Sequence, residues 1–520
     1  MDSAARKTVV IGMELGDGGY LHAWAQSGEL PYLKSLLERG CWGWLETTAS
    51  QLHISAWPSI YTGANPGEHG VYFTFQPAPG LQGYQRFHTG LYGCPTFWQL
   101  ASLAGRRCTI FDPPYSHPES GFAGTYIHDW GSWAHYLPTG SVPDLALRQL
   151  EQRCGSYPLG MEAHDYGWRP LEPVATSRRL IEAAKAKTSA SCWLMQQSEW
   201  DLAFTVFGET HVAGHYCLLT DAAGAAPEQR PMLDLYRELD RGIARIHQAA
   251  GENATIVLIS GDSVARNHAG WHLLPDILAR LGYLADGSVP PVAGAGGAPA
   301  ANRAAAANKF DPVKALRDLL PKHLRKNLAS MLPTALRDKL AQRVDTANID
   351  WSRTRAYCLP TDLEGCIRIN LKGREPLGIV EPGAGYEAVL GELVEALGQL
   401  RDPATNQAIV RDVIRTDQVF PGARRAFLPD LIVGWNSDNP ISCACSHAIG
   451  SISKLSPDPR PGTHAGPGFV LAAGPGIAPG QLPNPAHILD FAPTLLTRMG
   501  VAVPAHMRGR VWPELKSAAS

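Results

Sequence analysis

The sequence lacks an excess of either charge. Its 520 residues include 46 Lys and Arg against 48 Asp and Glu, which gives a formal net charge of −2 with neutral histidines. This balance offers no whole-chain argument for binding nucleic acid or a membrane surface. No apolar run approaches the ~20 residues that a bilayer-spanning helix requires. We therefore expect a small-molecule substrate, no nucleic acid and no membrane span, whereas the oligomeric state cannot be read from the sequence.

Cysteine has no regular spacing. The ten cysteines are scattered from Cys41 to Cys445, and the first residues, MDSAARK, run into a strand pattern without the features of a signal peptide. We therefore expect reduced thiols and a cytoplasmic protein.

Two segments have the pattern of buried strands that end at polar residues. Residues 8–13 and 202–207 are short, apolar and rich in β-formers. Glu14 follows the first segment, and His211 and His215 lie just beyond the second. Because open α/β sheets bind ligands at the carboxyl ends of their strands, these three residues are candidate metal ligands. A helix beginning here would bring both imidazoles to one face. The alternatives are surface histidines in a loop and a carboxylate that only caps a helix.

The segment 51–70 carries the most specific motif of the chain, QLHISAWPSIYTGANPGEHG. With the opening strand, it resembles the alkaline phosphatase superfamily, in particular its type I phosphodiesterase/nucleotide pyrophosphatase branch. Segments 462–477 and 488–496 extend the resemblance over most of the chain. The family's Ala-Trp, Thr-Gly, Asn-Pro and His-Gly pairs stand in register at Ala56-Trp57, Thr62-Gly63, Asn65-Pro66 and His69-Gly70.

The resemblance implies two metal positions with partly exchanged ligands. His211, His215 and His464 match the positions of one metal, and Glu14, His53 and Asp262 match those of the other. Several of these residues depart from the family's pattern. Glu14 replaces an Asp, His53 stands where the family has its Thr or Ser nucleophile, Gly261 and Asp262 replace an Asp-His pair, and the nearest hydroxyl to the nucleophile position is Ser55.

The implied cofactor is one or two divalent metal ions, with zinc first and iron or manganese as alternatives. Most positions exchange or keep one ligand type for another, and only Gly261 is a plain loss, which favours a remodelled metal centre over an abandoned one. We therefore predict a metal-dependent hydrolase of a phosphoester, a phosphodiester or a related ester. The attacking group would be a hydroxide on the metal or, with His53 and Ser55 as the candidate catalytic residues, the Ser55 hydroxyl.

Two other functions stay open at this point. A centre rich in histidine and carboxylate also suits redox metals, so the scaffold would fit an iron or copper oxygenase or another tailoring enzyme. The second alternative is a pseudoenzyme that binds a ligand.

The resemblance implies an α/β fold, an alkaline-phosphatase-like three-layer sandwich with a central, mostly parallel sheet. We expect residues 1–285 and 346–520 to form this core. Residues 286–345 would be an insertion, in which an Ala/Gly/Pro-rich linker precedes basic amphipathic helices that form a cap.

Overall fold

A computed structural model describes residues 7–118, 121–131, 139–159, 171–220, 230–285, 348–436 and 438–515. The strands within these ranges are, in chain order, Thr8–Met13 (β1), Cys41–Glu46 (β2), Phe75–Gln76 (β3), Gln85–Arg86 (β4), Cys108–Phe111 (β5), Gly124–His128 (β6), Gly140–Val142 (β7), Leu202–Phe207 (β8), Thr255–Ser260 (β9), Ser263–Arg266 (β10), Ala356–Cys358 (β11), Gly365–Ile369 (β12), Val410–Arg415 (β13), Leu431–Trp435 (β14), Cys443–Ser446 (β15), Gly450–Ser453 (β16), Gly462–Ala465 (β17), Gly468–Ala473 (β18), Gly480–Gln481 (β19) and Ala486–His487 (β20).

The α-helices within the same ranges are Gly18–Gln26 (α1), Pro31–Arg39 (α2), Ala56–Thr62 (α3), Pro66–His69 (α4), Phe97–Leu103 (α5), Leu145–Cys154 (α6), Pro173–Gln197 (α7), Glu209–Cys217 (α8), Pro231–Ala250 (α9), Leu274–Arg280 (α10), Ala384–Gly398 (α11), Thr416–Val419 (α12) and Phe491–Arg498 (α13). None of the helices described has the length and apolarity that a membrane span requires.

Within the described residues, the central sheet contains ten strands, in the order β19-β2-β18-β9-β1-β8-β5-β6-β7, with β20 also paired to β2. In its middle, β1 pairs in parallel with β8 on one side and with β9 on the other. All residues of these three strands are buried, as is usual for a parallel strand covered on both faces. Their carboxyl ends meet at one edge of the sheet.

Helices cover both faces of this sheet. Because successive strand residues point to opposite faces, Val9 and Ile11 pack in one apolar cluster with α7 and α9, whereas Val10 packs in another with α3, α5 and α13. The mostly parallel sheet between two helical layers confirms the predicted three-layer α/β fold.

A second sheet, in the order β11-β12-β14-β13, is antiparallel. It packs with α10 and α11 around its own apolar cluster. The turn between β11 and β12 carries two carboxylates that reach the candidate site. The predicted insertion at 286–345 lies outside the described residues, so the predicted domain division stays a prediction.

Candidate metal centre

Three histidines converge at the carboxyl edge of the central sheet. The helix α8 begins directly after β8 and carries His211 and His215, whose ring centroids are 4.5 Å apart. The strand β17 brings His464, with its ring centroid 5.0 Å from that of His211 and 5.1 Å from that of His215. One ring nitrogen from each histidine lies within 4.8 Å of the others. The geometry of these three side chains suits one metal ion.

Two of the imidazoles are oriented by partners on their outer nitrogens. The Nδ1 of His215 lies 2.7 Å from the carbonyl oxygen of Gly462, to which it donates. The Nδ1 of His464 lies 2.6 Å from Oδ2 of Asp262. Both arrangements leave Nε2 as the nitrogen for a metal, and such partners hold metal-ligating histidines in many proteins.

The pair formed by His464 and Asp262 depends on a short ladder next to the sheet. Asp262 follows β9 and precedes β10, which pairs antiparallel with β17 and places Val264 opposite His464. The ladder therefore fixes an orienting carboxylate and a candidate ligand on neighbouring strands.

The environment favours neutral imidazoles on α8. Burial lowers the pKa of His211 well below its usual value, and the neighbouring His215 and His464 lower it further. Burial also lowers the pKa of His215, as does the adjacent Arg460. Neutral imidazole is the form that binds a metal.

Glu14 lies beside the three histidines. It follows β1, is buried, and its Oε1 is 3.7 Å from Nδ1 of His211. Its backbone carbonyl accepts a hydrogen bond of 2.6 Å from the hydroxyl of Thr210 on α8. This bond ties the end of β1 to the helix that carries two of the histidines.

His53 lies between two carboxylates that the sequence did not reveal. Its Nδ1 is 3.0 Å from Oε2 of Glu364, and its Nε2 is 3.3 Å from Oδ1 of Asp362. Burial alone would lower the pKa of His53, but Glu364 and Asp362 outweigh burial and raise it to about 10. The His53 ring centroid is 4.7 Å from that of His464, so the protonated ring that these carboxylates favour would lie beside the three-histidine cluster.

Arg460 is a third residue beside the cluster that the sequence did not reveal. Its Nη2 donates to Oδ2 of Asp362 at 2.8 Å, and its Nη1 lies 3.4 Å from Nε2 of His215. Asp362 and Glu364 flank a leucine just before β12. Two acidic residues next to a strand are a weak indication of a functional site. Arg460 has no comparable signal, because only the folded chain brings it to the histidines.

The structure gathers the six predicted metal ligands into one region but not into two equivalent sites. Among the residues described here, the ligand atoms of Glu14, His53 and Asp262 do not form a group as close as the three histidines. Asp262 contacts His464, Glu14 lies near His211, and His53 contacts Asp362 and Glu364. Their assignment to a second metal stays a prediction.

The side chain of Ser55 lies in the protein interior. It is fully buried, and its hydroxyl donates 2.6 Å to the carbonyl oxygen of Leu52 and contacts the hydroxyl of Thr48 at 2.8 Å.

We expect Ser55→Ala to leave metal content and kcat close to those of the wild type and to lower the free energy of unfolding by about 1 kcal/mol, the typical net contribution of one hydrogen bond. Metal analysis, initial rates and denaturant unfolding measure these three quantities. Ser59→Ala, at an equally buried serine in α3, is the control for a purely structural effect. Abolished turnover with retained metal in Ser55→Ala alone would instead identify Ser55 as the nucleophile.

A buried network of charged side chains lies next to β8 and the start of α8. The Nζ of Lys187 on α7 is 2.6 Å from Oδ2 of Asp112 and donates 2.9 Å to the carbonyl oxygen of Val206 in β8. Glu209, at the start of α8, accepts a hydrogen bond of 2.9 Å from Tyr157. Lys187 and Asp112 are fully enclosed, so the network supports the strand and helix that present the histidines.

The described part of the chain is an α/β protein with a histidine cluster at the carboxyl ends of its parallel strands. Residues 8–438 match the family described as type I phosphodiesterase / nucleotide pyrophosphatase, and the chain belongs to this family. A comparison with curated proteins found no match.

Solved structures with a similar course of the chain include phosphonoacetate hydrolase from Sinorhizobium meliloti 1021 in complex with phosphonoformate, at 13% sequence identity, a TM-score of 0.48 and 94% coverage of each chain. They also include murine ectonucleotide pyrophosphatase / phosphodiesterase 5 in complex with AMP, at 10% identity, a TM-score of 0.48 and 96% coverage of each chain. The human form of the latter matches at 10% identity, a TM-score of 0.48 and 97% coverage of each chain.

Proposed function

We propose that this protein is a metal-dependent hydrolase of a phosphoester or phosphodiester, with His211, His215 and His464 as the ligands of a divalent cation. The observation that carries the proposal is the convergence of three imidazoles within 4.8 Å at the carboxyl edge of the sheet. Membership of the phosphodiesterase family supports phosphoryl chemistry.

The donor set fits such an ion. Three imidazoles, two of which have an oriented outer nitrogen, form a competent zinc site, and iron or manganese are the alternatives. A bound divalent cation would polarise a phosphoryl oxygen and activate water for attack. The hydroxyl of Ser55 is engaged inside the protein, which supports attack by water without a covalent intermediate.

Positive groups border the cluster and would act on the substrate. Arg460 lies 3.4 Å from His215, so its guanidinium stands where negative charge would grow on the phosphoryl oxygens. Asp362 holds this guanidinium in place through its Oδ2.

His53 is the best-placed proton donor. Its imidazole is held by Asp362 and Glu364, and contact with these carboxylates favours the protonated ring. We propose that His53 acts as a general acid rather than as a metal ligand, and that its Nε2 proton, which faces Asp362 in this structure, passes to the leaving oxygen when substrate binds.

Removal of the metal tests the proposal. Dialysis against a strong chelator is expected to reduce hydrolysis of bis(4-nitrophenyl) phosphate to the rate of buffer alone, and an excess of Zn²⁺ is expected to restore it. The measurement is the release of 4-nitrophenolate beside elemental analysis of protein purified without added metal. Iron or copper in that protein without phosphodiester hydrolysis would favour the redox alternative, and absence of any metal would favour a ligand-binding pseudoenzyme.

A further inference from the structure

A second group of metal-ligand side chains lies apart from the three histidines, two strands further across the sheet. His117 lies in the loop that follows β5, His128 is the last residue of β6, and Asp129 follows it directly. Because β5 and β6 are parallel, their carboxyl ends bring these side chains together. None of them contributes to the function proposed above.

The distances within this group suit a metal ion. The Nε2 of His117 lies 3.0 Å from Oδ2 of Asp129, and the Nδ1 of His128 lies 3.4 Å from the same oxygen. All three ligand atoms are within 4.8 Å of one another. In a tetrahedral zinc site with bonds of about 2.0–2.1 Å, neighbouring ligand atoms are separated by about 3.3 Å. The two observed distances fall on either side of this value.

The surrounding backbone fixes the direction of two of these side chains. His128 stands opposite Gly140 in the β6–β7 ladder, and a Cβ on Gly140 would lie only 2.7 Å from Nε2 of His128. This close approach covers the Nε2 edge of the ring and leaves Nδ1 for Asp129. Asp129 itself has φ +53°, in the left-handed region that few non-glycine residues adopt, and its carbonyl accepts a hydrogen bond of 2.8 Å from Thr139.

The group is enclosed but still reachable by solvent. The side chains of His117, His128 and Asp129 are 15%, 12% and 6% exposed, respectively. The two imidazole rings are only 4.1 Å apart between centroids, and both direct a nitrogen at one carboxylate oxygen. A shared cation would use one nitrogen from each ring together with the carboxylate.

We propose that His117, His128 and Asp129 bind a divalent metal ion such as zinc, at a position separate from the two metal positions that the family resemblance implies. Two imidazoles and one carboxylate are three ligands that zinc accepts, and a fourth position would stay open to water. The ion would join the loop after β5 to the β6–β7 hairpin. This inference does not depend on the hydrolase function or on the three-histidine site.

Zinc stoichiometry tests this site. The full-length protein is stripped of metal, equilibrated with Zn²⁺, dialysed, and its zinc content measured by elemental analysis. We expect His117→Ala and Asp129→Asn each to bind one equivalent fewer than the wild type. His22→Ala, which removes an exposed histidine of α1, is the control and should bind as much zinc as the wild type.

Wild-type zinc content in both variants would overturn the proposal and leave a hydrogen-bonded His-Asp pair as the explanation of the geometry. Circular dichroism shows whether each variant is folded. If Asp129→Asn does not fold, His117→Ala decides, because His117 lies in a loop and its removal leaves the backbone at Asp129 unchanged. Anomalous scattering at the zinc edge would locate the ion between β5 and β6 if the proposal is right.

Discussion

His464→Ala is expected to remove the bound metal and the hydrolytic activity together. His464 supplies one of three imidazoles, and Ala offers no ligand, so His211 and His215 would remain as a pair on one helix. We expect kcat/KM to fall by more than about 100-fold, the upper end of the loss caused by removing only an orienting partner of a metal ligand. Elemental analysis and initial rates with a chromogenic phosphodiester measure both effects.

Two further variants serve as a comparison and a control for His464→Ala. Asp262→Asn keeps the size of the side chain that contacts Nδ1 of His464 but removes its charge, so a smaller loss of metal affinity, about 10–100-fold, is expected. His447→Ala removes an exposed histidine between β15 and β16 and should change neither quantity. Full activity of His464→Ala with bound metal would show that the three-histidine site is not the catalytic centre.

Lys187→Met is expected to lower the free energy of unfolding by about 3–5 kcal/mol, the cost of removing one partner of a buried ion pair. Lys187 and Asp112 are both 0% exposed, so water cannot replace the lost ammonium group. Asp112 would keep its hydrogen bonds from the backbone N–H groups of Trp130 and Gly131 but would carry its negative charge without a cation. Unfolding by guanidinium chloride, followed by circular dichroism, measures the change.

Lys185→Met on the same helix is the matched control. Its side chain is 46% exposed and pairs with Glu182 one turn away, a surface ion pair of a kind worth at most about 1 kcal/mol. A double variant, Lys187→Met with Asp112→Asn, should lose less stability than the sum of the two single variants, because the second change removes the uncompensated charge. Equal stability of Lys187→Met and Lys185→Met would contradict the role given to the buried pair.

The local sequence pattern was sufficient to predict the strands and the helix face that position the site. Apolar runs bounded by glycine and polar residues predicted the strands at 8–13 and 202–207 with the limits that the structure has. The four-residue spacing of His211 and His215 predicted a shared helix face, and α8 provides it. The resemblance supplied His464, which no local periodicity would have connected with them.

The surroundings of His53 could not be predicted in the same way. Glu364, whose carboxylate contacts both the backbone and the ring of His53, is 311 positions away in the chain. It lies in the turn between β11 and β12 of the second sheet, and single-sequence patterns do not show which turns meet in the folded chain. The family position of His53 therefore suggested a metal ligand, whereas its contacts favour an imidazolium between carboxylates.

The hydrogen bond between His215 and Gly462 joins residues 247 positions apart, and this separation bears on how the protein folds. Closing so long a loop costs entropy before the contacts that it brings can form, so such pairings form slowly. On the ribosome, α8 emerges long before β17, and the nascent chain has two of the three histidines until the last part of the core is made. The three-histidine cluster is therefore complete only in the folded chain, and a cation bound there would stabilise the native state relative to the unfolded and partly folded chain.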